Sequence, residues 1–177
     1  MASEIPLRLF FALGSPHALA DNICSWRDSL PLAGRPVAKD NLHLTLAFLG
    51  SQPTTALDGF KDLGDQLRGT SFYLRLDQVQ TIGNGFLCLT PGLPPPPLLQ
   101  LVDNLRTGLS SLGMVPDSRP FLPHVTLARE AGMQQPHLAS EAFEWRVNGY
   151  GLFRSENTES GVRYDELVHW PLAATSG

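Results

Sequence analysis

A short pattern of histidine, aliphatic residue, threonine, leucine and alanine occurs twice in the chain. The first copy lies in LHLTLAFLG at 42–50 and the second in PHVTLARE at 123–130. Alternation of polar and aliphatic residues is typical of a β-strand that buries one face. Because each half of the chain holds one copy, the pattern indicates an internal duplication, although only the motif strands visibly match.

The segments around these strands predict an α+β fold. In chain order they indicate a strand, a helix, the first motif strand, a helix, two strands, a helix, and three final strands that begin with the second motif. The predicted elements lie at 7–13, 15–30, 41–50, 53–69, 71–80, 85–90, 98–113, 121–130, 143–155 and 161–172. We therefore expect residues 1–177 to form one bilobed domain. Two lobes of antiparallel sheet plus helices, related by a pseudo-twofold axis, would bring the motif strands face to face across a central groove.

Four local features refine this prediction. The first strand places Leu7, Leu9, Phe11 and Leu13 on one face, which we assign to the core. Its other face carries Arg8, Phe10 and Ala12, a mixture that suits the wall of a cleft. Ser15 is a predicted N-cap for the first helix, prolines 94–97 a stiff connection into the third, and ENTES at 156–160 a hairpin tip.

Composition narrows the class of protein. The 177 residues are 42% hydrophobic, which is enough for one globular core. The formal net charge of −4 argues against binding to duplex nucleic acid, because that binding depends on many Lys and Arg contacts to phosphate. The sequence shows neither a signal-peptide pattern nor an apolar run long enough to span a bilayer, so we expect a cytoplasmic protein without membrane contact. We also expect a monomer. Cys24 and Cys88 have no metal-ligand spacing and are predicted to be buried.

The repeated motif predicts a paired site. On a strand, His43 and Thr45 project from the same face, as do His124 and Thr126, and the next residue on each face would be the small Ala47 or Ala128. A single histidine in an apolar strand is often only a core residue. Two copies of the same pattern favour a functional pair, whereas His17, His137 and His169 have no such threonine and are predicted to be structural or exposed.

Paired imidazoles suit either metal binding or general acid and base catalysis. A metal site would need further ligands, and neither motif places Asp, Glu or Cys on the histidine face. We therefore favour metal-free catalysis with no cofactor. The threonine hydroxyls then become hydrogen-bond donors to an anion between the rings, which suits a phosphate.

Four stretches together resemble the two-histidine phosphoesterase superfamily: RLFFAL, NLHLTLAFLG, FLPHVTLAR and RSENTESGVRY. The sequence is most similar to the bacterial and archaeal RNA 2′,3′-cyclic phosphodiesterases, also known as 2′-5′ RNA ligases. This resemblance implies a bilobed α+β fold without metal or nucleotide cofactor. It also implies opening of a terminal 2′,3′-cyclic phosphate to a 2′-phosphomonoester, with weak reversible ligation of 2′-5′ linkages. The partners would be RNA ends or small nucleotides that carry such a phosphate.

The resemblance also implies residue roles. His43 and His124 would be the acid and base pair, and Thr45 and Thr126 would bind phosphate. Arg129 resembles the phosphate-facing arginine of the family, although strand alternation places it opposite His124 unless the strand twists or bulges. Phe10 is the candidate for stacking on the terminal base, with an ordinary core role as the alternative. Phe48 takes the place of Arg129 in the first motif, so the two half-sites would differ.

Two other functions remain open on the sequence alone. The same superfamily includes hydrolases of small cyclic phosphates and of 2′-5′ oligoadenylates, and an acidic surface suits such small substrates at least as well as RNA. Alternatively, the chain is a non-catalytic module that binds RNA ends or nucleotides. The presence of both histidines argues against that last function.

Overall fold

The computed structural model describes residues 5–32, 34–115, 118–132 and 141–174. Within these ranges the chain forms ten strands and three α-helices. The strands are β1 (Leu7–Gly14), β2 (Arg35–Pro36), β3 (His43–Gln52), β4 (Phe72–Leu76), β5 (Gln78–Ile82), β6 (Phe86–Thr90), β7 (Val125–Arg129), β8 (Phe143–Val147), β9 (Gly149–Thr158) and β10 (Gly161–Pro171). The helices are α1 (His17–Asp28), α2 (Leu57–Gln66) and α3 (Pro96–Ser111).

The two motif strands lie at the centre of the larger sheet. Its order is β10-β9-β1-β3-β7-β6-β5, with β2 paired to β7, and its neighbouring strands are antiparallel. This confirms the predicted α+β class with antiparallel sheets. The motif strands β3 and β7 meet through one backbone pair, Leu44 with Val125, so they lie side by side. The expectation that they face each other was wrong, since they are neighbours in one sheet; the twofold relation between lobes stays a prediction.

Two predicted strands are each divided between the sheets. The segment 71–80 forms β4 and β5 with a break at Asp77, and 143–155 forms β8 and the start of β9 with a break at Asn148. The strands β4 and β8 pair in a separate two-stranded sheet with alternating burial, whereas β5 and β9 join the larger sheet. Hydrophobic alternation hardly changes across a single-residue break, which is why the sequence pattern does not reveal it.

The helices and β1 follow their predicted faces. Helix α3 begins at Pro96, which confirms the proline run as its entry, and it buries Leu98, Leu101, Val102, Leu105 and Leu109. Helix α1 begins at His17, but Ser15 makes no side-chain cap hydrogen bond to it, so the predicted N-cap was wrong. The hairpin of β9 and β10 turns at 159–160, within the predicted tip. No helix of the described residues is long and apolar enough to cross a membrane.

The face of β1 opposite the main core holds a second, small cluster. Leu9, Phe11 and Leu13 are buried in the main core, as predicted. Phe10 and Ala12 instead pack with Phe153, and Tyr164 lies against them. The two faces of this strand therefore serve different parts of the molecule, and the second face supports the cleft.

A β-bulge interrupts each motif strand at the same point of the motif. Beside β1, Phe11 lies opposite Ala47 and Ala12 opposite Thr45, which leaves Leu46 as the additional residue. Beside β6, Leu87 lies opposite Ala128 and Cys88 opposite Thr126, which leaves Leu127 as the additional residue. One extra residue reverses the side to which the following side chains point, until the next irregularity, which in β3 leaves Leu49 as a further additional residue.

The bulges correct the predicted position of the two motif alanines. Ala47 and Ala128 both pack against the main core instead of extending the histidine face. The residues that follow them, Phe48 and Arg129, are exposed and line the same cleft as the histidines. The bulge that Arg129 needs in order to reach the histidine face is therefore present in β7. An equivalent bulge in β3 brings Phe48 to the same cleft.

Substitutions within β3 test this assignment of faces. Leu44 is fully buried, so Leu44→Ala should lower the free energy of unfolding by about 2–5 kcal/mol. Phe48 is 75% exposed, so Phe48→Ala should cost less than about 0.5 kcal/mol. Urea denaturation measures both. A larger loss for Phe48→Ala than for Leu44→Ala would contradict the bulge.

Candidate active site

The residues of the doubled motif line one cavity of about 260 Å³. Its walls include the four predicted motif residues, and also Arg129 and Phe48 from the ends of the motif strands. The lining is completed by Val37, Asn41, Ile82, Phe86 and Tyr164. The structure therefore brings the predicted histidines, threonines and arginine together.

The main chain orients both imidazoles in the same way. His43 Nδ1 lies 2.7 Å from the carbonyl oxygen of Asn41, and His124 Nδ1 lies 2.7 Å from that of Leu122. A carbonyl only accepts hydrogen bonds, so Nδ1 carries the proton in both rings. The nitrogen left for chemistry is Nε2 in each case. In each motif the acceptor is two residues before the histidine.

The hydroxyls of the two threonines have different surroundings. Thr45 Oγ1 lies 2.9 Å from His43 Nε2 and donates to it when the ring is neutral. Thr126 Oγ1 lies 3.8 Å from Sγ of Cys88, which is fully buried on β6. Burial raises the pKa of this thiol to about 11, so it remains a neutral support beneath Thr126. In the register set by Leu44 and Val125, each motif histidine lies beside the threonine of the other motif.

The environment of His43 favours a neutral ring. Burial lowers its pKa from the usual value, and this effect exceeds that of the hydrogen bond to the Asn41 carbonyl, which acts in the opposite direction. The positive charges of His124 and Arg129 lower the pKa further. A neutral imidazole with Nδ1 protonated has its lone pair on Nε2, so His43 is suited to accept a proton.

Tyr164 joins the arginine to the histidine face. Its hydroxyl accepts a hydrogen bond of 3.2 Å from Arg129 Nη2. Its ring contacts His43 and Phe10 edge-on, with centroid distances of 5.0 and 5.2 Å. Sequence reasoning assigned no role to this residue, since it lies on β10 and reaches the site only because the C-terminal hairpin extends the sheet. Two features of the sequence could have pointed to Tyr164: the alternation of side chains along β10 and its aromatic ring.

The aromatic side chains form two layers. Phe10 is only 4% exposed and lies beneath the His43 ring at a centroid distance of 5.1 Å. Phe48 is exposed and lies 6.3 Å from Phe10. The role of Phe10 in stacking on a base stays a prediction, and the structure adds Phe48 as the ring with a free face. Phe10 has a direct structural role as the support of His43.

The remaining histidines and the acidic residues lie apart from this cavity. His17 and His169 are exposed and contact Asp21 and Glu166, while His137 lies outside the described residues. No group of three or more His, Cys, Asp or Glu among the described residues could hold a metal ion. The site offers two imidazoles, two threonine hydroxyls, the Tyr164 hydroxyl and one guanidinium, a set that suits acid and base chemistry on a bound anion.

Comparison with known proteins identifies similar sequences and structures. Residues 15–159 match the 2′-5′ RNA ligase superfamily. The chain is 37% identical to an RNA 2′,3′-cyclic phosphodiesterase of Escherichia coli, over 94% of this chain and 97% of that protein. It is 30% identical to an RNA 2′,3′-cyclic phosphodiesterase of Thermus thermophilus, over 97% and 93% of the two chains. The crystal structure of E. coli LigT complexed with 3′-AMP is similar, with a TM-score of 0.87, 35% identity, and 94% and 98% coverage.

The pKa of His43 provides a test of this geometry. Burial should make His43 titrate below the ordinary value of about 6.5 in the folded protein, and in the urea-unfolded chain it should return to that value. The unfolded state then binds more protons between these two pKa values, so His43 makes stability increase with pH across that window. NMR titration of the ring protons, assigned with His43→Gln, measures the shift. A folded-state pKa above the unfolded value would contradict it.

Proposed function

Because this chain belongs to the 2′-5′ RNA ligase superfamily, we propose that it is a metal-independent RNA 2′,3′-cyclic phosphodiesterase. It hydrolyses a terminal 2′,3′-cyclic phosphate to a 2′-phosphomonoester. The observation that carries this proposal is the shared cavity in which both imidazoles are held by Nδ1 and keep Nε2 for chemistry. The substrate class is inferred from the named relatives, and the catalytic residues are inferred from the lining of the cavity.

His43 is the general base. Its lowered pKa keeps the ring neutral, so Nε2 accepts a proton from the attacking water. In the structure this nitrogen accepts a hydrogen bond from the Thr45 hydroxyl. When that hydroxyl donates to a bound phosphate instead, the attacking water takes its place beside Nε2. As the water oxygen bonds to phosphorus, His43 becomes an imidazolium. The Asn41 carbonyl stabilises that charge through the Nδ1 proton.

His124 is the general acid on the other side of the phosphorus. Its Nε2 makes no hydrogen bond with another residue that the structure describes, so it is free to contact the substrate. As the bond between phosphorus and the 3′ oxygen breaks, Nε2 gives its proton to that oxygen. The 2′ ester bond remains, which yields the 2′-phosphomonoester. Exchange of one proton from each ring with solvent restores the starting state.

The phosphate oxygens bind to Thr45, Thr126 and Arg129. One hydroxyl comes from each of the two neighbouring motif strands, so the two approach the phosphate from different sides. Arg129 adds the positive charge that stabilises the extra negative charge of the transition state, and Tyr164 holds its guanidinium. The terminal nucleoside lies against the exposed ring of Phe48, with Phe10 in the layer beneath. Ligation of a 2′-5′ linkage is the same path in reverse, with a 5′-hydroxyl replacing water.

The roles of the histidines can be separated by the pH dependence of kcat. The wild type should give a bell-shaped profile, because catalysis needs His43 neutral and His124 protonated. His43→Ala and His124→Ala should each lower kcat by about 10²–10⁴-fold. His43→Ala should lose the acidic limb of the profile, and His124→Ala should lose the alkaline limb.

This assay uses a cyclic-ended trinucleotide in the presence of EDTA, and circular dichroism checks the fold of each variant. His169→Ala serves as the matched control, since that residue lies on β10 outside the cavity. Near wild-type turnover by folded His43→Ala or His124→Ala would refute the two-histidine mechanism. Activity that disappears in EDTA and returns with zinc or manganese would refute metal independence.

The position of the phosphate in the product tests the substrate orientation. Cyclic-ended RNA should yield a terminal 2′-phosphate, because the acid is placed to protonate the 3′ oxygen. Phosphorus NMR of the product distinguishes the 2′ from the 3′ ester. A predominantly 3′-phosphate product would reverse the orientation proposed for the ribose. The same assay on a cyclic mononucleotide and on 2′-5′ oligoadenylate distinguishes RNA ends from smaller substrates, and binding without turnover would indicate a non-catalytic module.

A further inference from the structure

A second cavity of about 300 Å³ continues the catalytic cavity along the surface of the sheet. The two cavities share His43, Phe48, Arg129 and Tyr164. The far end of the second cavity is lined by Arg8 from β1 and by Ser155 and Asn157 from β9. Since Arg8 lies opposite Ser155 in the sheet, these groups meet at one place. We call this end the Arg8 end.

Arg8 is a cation with no counterion among the residues that the structure describes. It is exposed, and it makes no hydrogen bond or ion pair with any residue of the described ranges. The nearby Arg35 differs, because it pairs with Glu130 at 2.9 Å, whereas Arg129 donates a hydrogen bond to the hydroxyl of Tyr164 and has no carboxylate partner among the described residues. Two cations without a carboxylate partner among the described residues therefore line the second cavity, Arg129 in its shared part and Arg8 at its far end.

The acidic residues of the neighbouring hairpin point away from this end. Arg154 and Asp165 form an ion pair at 3.1 Å on the opposite face of β9 and β10, and Arg163 and Glu156 form another at 2.8 Å. The side chains that alternate with them, Ser155 and Asn157 on β9 and Val162 and Tyr164 on β10, line the cavity. Among the described residues no carboxylate lines this cavity, although the whole chain has a net charge of −4. An anion therefore meets no acidic side chain on its walls.

We infer that the Arg8 end binds the phosphodiester on the 5′ side of the terminal nucleotide. This inference rests on the proposed function, since it takes the cyclic phosphate to lie between the histidines. The nucleoside then occupies the shared part of the two cavities, beside the free face of Phe48. Its 5′ oxygen continues toward Arg8, where the guanidinium and the polar side chains of Ser155 and Asn157 receive the next phosphate.

This second phosphate site determines the substrate class. A cyclic mononucleotide with a free 5′-hydroxyl fills only the catalytic cavity and the shared part. An oligonucleotide end also fills the Arg8 end, so the protein prefers RNA ends to cyclic mononucleotides. Recognition of one internal phosphate needs no broad basic surface, which is consistent with the acidic composition of the chain.

Arg8→Gln tests the inference, and Arg75→Gln is the matched control. Arg75 is also an exposed strand arginine, but it lies on β4 and pairs with Glu144, away from the cleft. Three substrates are compared: a cyclic-ended dinucleotide, the cyclic mononucleotide, and the cyclic mononucleotide with a 5′-phosphate. Arg8→Gln should raise KM for the dinucleotide on the order of tenfold relative to its effect on the cyclic mononucleotide. The 5′-phosphorylated mononucleotide should behave like the dinucleotide if the phosphate alone is recognised.

A binding measurement supplies an independent readout. For a dinucleotide with a terminal 2′-phosphate, the slope of log Kd against log salt concentration should fall by about 0.7 in Arg8→Gln and should not change in Arg75→Gln. An equal effect of Arg8→Gln on all three substrates, or no effect on any, would overturn the inference while leaving the proposed function intact. If the wild type hydrolyses none of these cyclic phosphates, the proposed function itself fails.

Discussion

The antiparallel contact between β3 and β7 is the constraint on which the site depends. A single backbone pair, Leu44 with Val125, joins the two halves of the larger sheet and fixes the register of the motif strands. Cross-strand partners in an antiparallel pair project to the same face, so the burial of these two residues places all four polar residues of the motifs on the other face. The core and the cavity are therefore two results of the same pairing. A slip of one residue would bury the histidines.

The two bulges bring an unlike pair of side chains into the site. Alternation alone would have continued the histidine face to Ala47 and Ala128 and directed Phe48 and Arg129 to the core. Since each strand carries one additional residue at the same point, the aromatic ring and the guanidinium both reach the cavity. The backbone of the two half-sites is thus equivalent, while their side chains differ. In the proposed function, Phe48 provides a surface for a nucleoside and Arg129 a charge for a phosphate.

Features that depend on local periodicity could be predicted from the sequence, and features that depend on distant partners could not. The faces of β1, the burial of both cysteines, the proline entry to α3 and the pairing of the histidines all follow from short-range patterns. The breaks at Asp77 and Asn148 were missed, because the strands on either side differ only in which sheet they join. Tyr164 was missed for a related reason, since its contact with Arg129 depends on where the C-terminal hairpin adds to the sheet.

Because main-chain carbonyl groups orient the imidazoles, substitutions at the two residues that supply them need not disturb the histidines. An amide carbonyl is present whatever side chain a residue carries, so the tautomer of each histidine does not depend on the amino acids at 41 and 122. The side chains there are accordingly unlike: Leu122 is exposed, whereas the amide of Asn41 donates to the carbonyl of Val162 and ties β10 to the first motif. Other enzymes use a carboxylate side chain to orient a histidine, and a single mutation can remove it. Here the orienting group is lost only if the backbone moves. The side chains at positions 41 and 122 can therefore serve other functions.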